Sequence, residues 1–302
     1  MTDFITTAFV QDYKTTVMFL AQQMGSRTRD LVSTDSYKGM AGKAVEQFGQ
    51  TMAQKRTQRH ADTPLMDVNQ DARWVYPTDY EWAELIDDQD KLRMAIDPTS
   101  PIAQAGAFAM GRSIDDEILG ALYSPAHNGQ TGSSTVAFNV SNTQYVGPNF
   151  GGTSTGLNIE KLREGRRIFE SNNIDLDQEQ LWMLVTSKEA DALLALTQVT
   201  SRDFNDTPVL TNGKVTRFLG INFRHIEFTS AVFANASQML NGTNRLCPLF
   251  TQRAYHLGIW EDTTAKMSQR ADKGYATQVY LRHTIGATRI DELRCVQIEC
   301  AG

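Results

Sequence analysis

The sequence predicts an α+β fold, and three observations carry that prediction. Helical and strand patterns both occur, without the regular β-α-β alternation of a doubly wound sheet. One helix, over residues 101–123, has clear start and stop signals and dominates the first half. Residues 247–302 read almost entirely as strand, and no internal repeat is visible.

Residues 1–30 place Phe4, Ile5, Phe9, Tyr13, Val17 and Leu20 at mostly helical spacings. They predict a helix or an extended arm ending at Gly25-Ser26, either docked on its own domain or reaching a neighbour. Residues 31–49 alternate weakly through Val32, Met40, Val45 and Phe48. Residues 50–60 are polar and carry Lys55, Arg56 and Arg59 with no acid, and a turn-like Ala61-Asp62-Thr63-Pro64 follows. A period-two stripe then puts Trp74, Tyr76, Tyr80, Trp82 and Ile86 on one face, against Arg73, Asp79, Glu81 and Asp87 on the other. One strand over 72–87 would extend roughly 50 Å at about 3.3 Å per residue, against a usual strand of about 5–6 residues. Paired with 31–49, it makes a long hairpin with its tip near 53–66. A lone two-stranded ribbon is marginal in water, so the hairpin is expected to lie on another molecule.

The acidic run 87–97 leads into Asp97-Pro98-Thr99-Ser100-Pro101, where Ser100 as N-cap and Pro101 at the first helical position start the long helix. Ala107, Met110, Ile114, Ile118 and Leu122 form its apolar stripe, with Arg112, Asp115 and Asp116 mostly off it. Ser124-Pro125 closes it. Residues 126–156 are rich in Gly, Ser, Thr and Asn, with a short strand at Val136, Phe138 and Val140. Asn158 caps a second helix over 159–171, with Ile159, Leu162, Ile168 and Phe169 inward. Residues 181–185 read as a buried strand, and Ser187 caps a short helix over 188–196. Asn212-Gly213 is the strongest hairpin turn, followed by β pattern over 218–223 and a short helical or loop element over 230–240. The end predicts one strand through Leu249, Phe250, Tyr255, Leu257 and Ile259. Two more run through Tyr275, Val279 and Leu281 and through Cys295, Val296 and Ile298, joined by 284–287.

At 302 residues with 41% apolar content, the chain is long enough for one large domain or two. No run approaches the ~18 apolar residues of a membrane span, and no secretory signal is expected from the start of the chain. Three cysteines without a C-x-x-C pair argue against a disulfide framework or zinc site and for a reducing compartment. The N-x-S/T triplets at Asn139, Asn205, Asn235 and Asn241 are then chance matches. A net charge of −6 excludes a sequence reader of DNA, which needs basic surface. It suits an acidic wall that encloses DNA without sticking to it.

Candidate chemistry is thin. Gly152-Thr153-Ser154-Thr155-Gly156 matches G-x-S-x-G, but a nucleophile elbow needs a strand before it, and Gly147-Pro148-Asn149-Phe150-Gly151 is loop. Asp175 or Asp191 with His225, His256 or His283 would complete a triad on paper, and nothing singles out one set. The five histidines form no H-x-x-x-H pair, so neither metal nor cofactor is expected. Asp115-Asp116-Glu117 and Asp87-Asp88-Gln89-Asp90 read as solvated or salt-bridging acids. Gly39-Met40-Ala41-Gly42-Lys43 lacks the spacing of a P-loop. The basic tip Lys55, Arg56, Arg59 and His60 would contact nucleic acid or an acidic surface on an identical neighbour. Glu84, Asp87, Asp88 and Asp90 supply such a surface, which favours self-association. Each exposed pair is weak, about 0–1 kcal/mol, so Trp74, Tyr76 and Trp82 are the better sources of contact energy at about 25 cal/mol per Å² of apolar surface buried.

The order of these elements resembles a tailed-bacteriophage major capsid protein: basic-tipped hairpin, long helix, loop-rich middle, the strand into Ser187-Lys188-Glu189-Ala190, the Asn212-Gly213 hairpin and a β-rich end. Lys55-Arg56-Thr57-Gln58-Arg59-His60-Ala61-Asp62-Thr63-Pro64 and Asp79-Tyr80-Glu81-Trp82-Ala83-Glu84-Leu85-Ile86-Asp87-Asp88 are similar to one subgroup of these proteins. The resemblance covers essentially the whole chain. It implies an N-terminal arm over 1–30, an extended loop over 31–88, and a peripheral domain over 89–173 and 249–302 with spine helix 101–123. An axial domain would span 174–248. It further implies hexamers and pentamers on an icosahedral lattice around double-stranded DNA contacted non-specifically, in a virion assembled in the host cytoplasm. A separate scaffolding protein, a portal and a decoration or cement protein are the other implied partners, with no membrane and no enzymatic activity. A cargo-enclosing cellular nanocompartment of the same fold and a serine hydrolase using Ser154 are the alternatives.

Overall fold

The computed structural model describes residues 22–59, 62–63, 65–87, 99–138, 144–196, 199, 213, 215–228 and 232–302. The expectations for residues 1–21, for the acidic run 88–98, for Val140 and for Asn212 lie outside that set. In chain order come β1 (Ser33–Ser36), β2 (Gly42–Phe48), β3 (Gln70–Val75), β4 (Thr78–Ile86), α1 (Thr99–Tyr123), β5 (Ala126–His127), β6 (Thr135–Val136) and β7 (Tyr145–Val146). Then follow α2 (Ile159–Ser171), β8 (Leu181–Val185), α3 (Ser187–Leu194), β9 (Arg217–Phe218) and β10 (Ile221–His225). The chain closes with β11 (Leu240–Asn241), β12 (Asn244–Thr251), β13 (Tyr255–Arg270), β14 (Ala276–Arg289) and β15 (Cys295–Cys300).

These strands form three sheets. The first has the order β1-β13-β14-β4, the second β7-β15-β12-β8-β10-β9 with β11 on β12, and the third β2-β3-β5-β6. The mixture of segregated helices and mostly antiparallel sheets is the α+β architecture expected. α1 packs on the first sheet, where Ile114, Ile118, Leu119 and Leu122 meet Tyr255, Leu257 and Ile285. α2 covers the second, where Leu162 and Phe169 meet Leu181, Leu249, Val296 and Ile298. Burying each such side chain contributes about 1.5–3 kcal/mol.

α1 carries glycines where other elements press on it. A Cβ on Gly106 would sit 2.6 Å from the Trp82 ring, and one on Gly111 would sit 2.6 Å from the Gly25 Cα. Glycine in a helix interior costs about 1 kcal/mol against alanine, and here it admits a tryptophan and a crossing backbone. The crossing segment is fastened by Asp115. Its carboxylate accepts from the Arg27 and Thr28 amides and from the Thr28 hydroxyl at 2.7 Å. Asp115 is therefore fully buried, and Asp116 nearly so, accepting from the Asn235 amide at 2.9 Å. The solvated face expected for these acids is corrected: a carboxylate can be buried where backbone N–H groups supply its hydrogen bonds.

The C-terminal end of α1 is closed by Arg289, which has no exposed side-chain surface. Its guanidinium donates to the carbonyls of Leu122 at 3.3 Å, Ser124 at 2.8 Å and Val136 at 3.1 Å, and it lies over the Phe138 ring. Helix ends leave carbonyls without intrahelical partners, and a buried arginine satisfies several at once.

The single strand expected over 72–87 is two strands in two sheets. Tyr76-Pro77 breaks it, because proline has no N–H to donate to a ladder. β3 pairs with β2, from Gly42↔Val75 to Phe48↔Gln70, whereas β4 pairs with β14, from Ile86↔Thr277 to Thr78↔Ile285. The inward face also changes: Arg73 and Val75 are buried on β3, Ile86 on β4. The strand expected over 249–259 is likewise two, β12 and β13, separated by a short 3-10 turn at Gln252–Ala254. Residues 284–287 lie inside β14 rather than in a connection, and Tyr275 sits in the turn before it at φ 61°. α1 begins at Thr99, and the N-cap of α3 is Thr186, whose hydroxyl and amide both bond Glu189 as a capping box.

His256 on β13 and His283 on β14 are buried. His256 meets Tyr37 Oη at 2.8 Å and Ser33 Oγ at 3.0 Å, and His283 meets Ser113 Oγ at 3.2 Å. Burial pushes both imidazoles below their ordinary range. Between the folded and unfolded values the unfolded chain binds more protons. Their contribution is complete above about pH 6.5 and is lost as pH falls towards the folded values. The urea midpoint of the unassembled subunit is expected to drop between pH 7.5 and pH 5.5, and to drop less in the His256→Asn/His283→Asn variant. Equal drops in the two proteins contradict this assignment. Glu117, which burial pushes up, acts in the opposite sense and is common to both.

Candidate inter-subunit contact surface

β2 and β3 form a projecting antiparallel hairpin whose ladder ends at the Gly49 amide, 2.7 Å from the Asn69 carbonyl. Every described residue from 49 to 70 beyond that bond is exposed. Lys55, Arg56 and Arg59 stand on this loop, and among the described residues none of them carries an ion pair; Arg56 Nε donates to the Gln58 carbonyl at 3.0 Å. The loop also presents apolar side chains, of which Met52 and Leu65 are not among the contact residues expected from the sequence. Leu65 is 98% exposed and Met52 80%, and Phe48 at the loop's base is 63% exposed. These side chains bury little against the described residues of their own chain. Their signal in the sequence was an apolar residue among polar ones in a segment with no face to bury.

The aromatic stripe is placed differently from the loop. Tyr76 donates its hydroxyl to the Gly129 carbonyl at 2.7 Å and meets His127 edge-on at 5.0 Å. Trp74 is half-buried on β3, opposite Lys43 and His127. Trp82 lies between Gly106 of α1 and Leu281 of β14. All three make contacts within the chain. The acidic candidates Glu84 and Asp87 are exposed, and Asp88 and Asp90 lie outside the described residues. On the same strand Asp79 accepts from Thr284 Oγ1 at 2.6 Å and Glu81 from Tyr280 Oη at 3.0 Å.

The root of the hairpin is bolted to the body. Trp260 Nε1 donates to the Gly39 carbonyl at 2.8 Å, and Tyr37 stacks on Trp260. On the other side Arg73 reaches Glu292, and Gln47 donates to the Ile290 carbonyl. None of these contacts carries a local sequence signal, since each joins residues far apart in the chain.

No nucleophile elbow forms around Ser154. It sits on an exposed loop at φ 49°, its amide bonded to Asn149 Oδ1 at 2.9 Å, with turns rather than a strand before it. His225 bonds Arg27 and Glu227, while His256 and His283 are committed as above. The Glu189, Cys247 and Cys300 ligand atoms lie within 4.8 Å of one another. Glu189 is already held by Arg245 and Thr186, and a hydrogen bond with Cys300, together with burial, pushes the Cys247 thiol up. The cluster is a packed polar contact rather than a cation cage. All three cysteines are buried as free thiols, and no described helix is long and apolar enough to cross a membrane.

A model of the phage capsid protein family matches residues 5–302. The chain belongs to the phage capsid protein family. A search of curated protein sequences returned no significant match. Among solved structures, the capsid of cyanophage P-SCSP1u is similar at TM-score 0.74 and 13% identity, covering 98% of this chain and 94% of that one. The cyanophage Pam1 capsid is similar at TM-score 0.72 and 14% identity, covering 100% and 99%. The acidic-stable capsid of Helicobacter pylori bacteriophage KHP30 is similar at TM-score 0.70 and 11% identity, covering 99% and 98%. At such identities the likeness establishes the fold. The capsid protein is a structural component of the virion, the major subunit of a phage head shell. Self-association is thus its task, and the described residues of the 49–70 loop, all exposed, are free of their own core.

Proposed function

We propose that the capsid protein assembles as hexamers and pentamers of an icosahedral head, and that the 49–70 loop is the element that grips an adjacent copy. The single observation behind this is a hairpin rigid at its root and carrying exposed apolar and cationic side chains at its tip. In this reading Met52 and Leu65 supply contact energy, and Lys55, Arg56 and Arg59 set register against Glu84, Asp87, Asp88 and Asp90 of a neighbour. Charges arranged this way add specificity more than affinity. Residues 1–30 act as the arm and 31–88 contain the extended loop. Residues 89–173 and 249–302 form the peripheral domain and 174–248 the axial domain. A separate scaffolding protein, a portal and a decoration or cement protein join it in the host cytoplasm. The enclosed double-stranded DNA meets a wall of net charge −6 per subunit, which disfavours tight binding. No step of this role needs a catalytic residue or cofactor.

Negative-stain electron microscopy of the protein, expressed with and without its scaffold candidate, tests the proposal. Closed shells of uniform diameter are expected in at least one preparation. Monomers or small oligomers in both would contradict it.

A further inference from the structure

The root of the hairpin and the end of the long helix meet at one carboxylate. Arg73 on β3 has 5% of its side chain exposed; its Nη1 donates to Asp71 at 2.7 Å and its Nη2 lies 3.3 Å from Glu292 Oε2. Arg289, fully buried at the end of β14, lies with its Nε 3.4 Å from Glu292 Oε1. The rest of the Arg289 guanidinium holds the last carbonyls of α1. A continuous chain of charge-assisted hydrogen bonds therefore runs from β3 through Arg73, Glu292 and Arg289 to the C-terminal end of α1. Among the described residues Arg73 Nε has no hydrogen-bond partner, and the polar contacts of this guanidinium run to Asp71 and Glu292. Asp71 moves with the hairpin, because it sits on the same strand. Glu292 is the only one of the two that belongs to the body.

We infer that Glu292 is a positioning residue that sets the angle at which the β2–β3 hairpin leaves the body, and hence where its tip meets a second copy of this chain. The consequence for assembly rests on the function proposed above; the coupling within one subunit does not. Two buried guanidinium groups share this carboxylate. Removing its charge takes the paired carboxylate from Arg289 and leaves Arg73 tied only to Asp71 of its own strand, so the hairpin loses its ionic tie to the body. The Trp260–Gly39 and Tyr37–His256 bonds hold the opposite side of the root, so the hairpin loosens without detaching.

Glu292→Gln keeps the size of the side chain and one acceptor while removing the charge. Hydrogen exchange of the unassembled subunit is expected to show β2 and β3 amides exchanging about tenfold faster or more, with β12 and β15 amides unchanged. If Arg73 acts through Glu292, the Arg73→Gln/Glu292→Gln double variant exchanges no faster at the hairpin than the faster single variant. Unchanged hairpin exchange in Glu292→Gln overturns the inference. So does faster exchange spread evenly over all strands, which marks a purely structural residue. In co-expression, Glu292→Gln is expected to give shells of mixed diameter where the unaltered protein gives uniform ones, and uniform shells from the variant also overturn it. Failure of the unaltered protein to form shells would count against the proposed function and leave the exchange result standing.

Discussion

Replacing Arg289 by methionine is expected to lower the stability of the unassembled subunit by about 2–6 kcal/mol, about 1–3 kcal/mol for each of the Ser124 and Val136 carbonyls it leaves unpaired. The side chain is fully buried and bonds three backbone carbonyls as well as Glu292. Methionine fills much of the volume and keeps the apolar contact with Phe138, so cavity formation is a minor part of the effect. The larger part is polar. The Leu122 carbonyl keeps the Tyr255 hydroxyl at 3.2 Å, but the bonds to Ser124 and Val136 are lost, and a buried unsatisfied group costs about 1–3 kcal/mol. Glu292 loses a cation beside it at the same time. Urea unfolding, with the slope compared between variants, measures the change. A midpoint within error of the unaltered protein would mean that the α1 terminus is held by packing alone.

The second large effect falls on assembly and spares the fold. Deleting residues 53–66 removes Lys55, Arg56, Arg59 and Leu65. Residues 50–52 then join 67–69 as a short turn beyond the Gly49–Asn69 bond. The ladder from Gly42↔Val75 to Phe48↔Gln70 lies below the cut, and no described residue in the deleted stretch is buried. The unfolding midpoint should stay within about 0.5 kcal/mol of the full chain, as for other surface changes. Normal shells should disappear from co-expression with the scaffold candidate. Shells indistinguishable from those of the full chain would remove the loop from the assembly interface.

Much of the fold was readable because its signals are local. Asn158 caps α2 by accepting from the Lys161 amide at 2.7 Å, and Leu162, Ile168 and Phe169 turn inward as their spacing requires. The same holds for Met110, Ile114, Ile118 and Leu122 on α1, whereas Ala107 of that stripe is exposed. Strand alternation was less informative. It reports which residues share a face and not which strand lies alongside, so the stripe from Trp74 to Ile86 concealed a change of sheet at Tyr76-Pro77. Asp115 was misread for a related reason. Its burial depends on residues 23–28 crossing α1, which the helix's own periodicity does not encode. At the contact surface the basic run was legible as a charge pattern. The root was not, because Arg73 and Glu292 stand 219 residues apart.

The three thiols bear on how the particle can be handled. Cys247, Cys295 and Cys300 are fully enclosed. Burial pushes the Cys295 thiol up to about 12, so the reactive thiolate is scarce there at neutral pH. The folded subunit is in effect blank to maleimides and other soft electrophiles. A single cysteine engineered at an outward position, such as Leu65→Cys on the loop, would be the one addressable handle per subunit without any native residue being removed. With all three thiols enclosed, a shell built from this subunit presents no native cysteine through which an oxidising medium would link neighbouring copies.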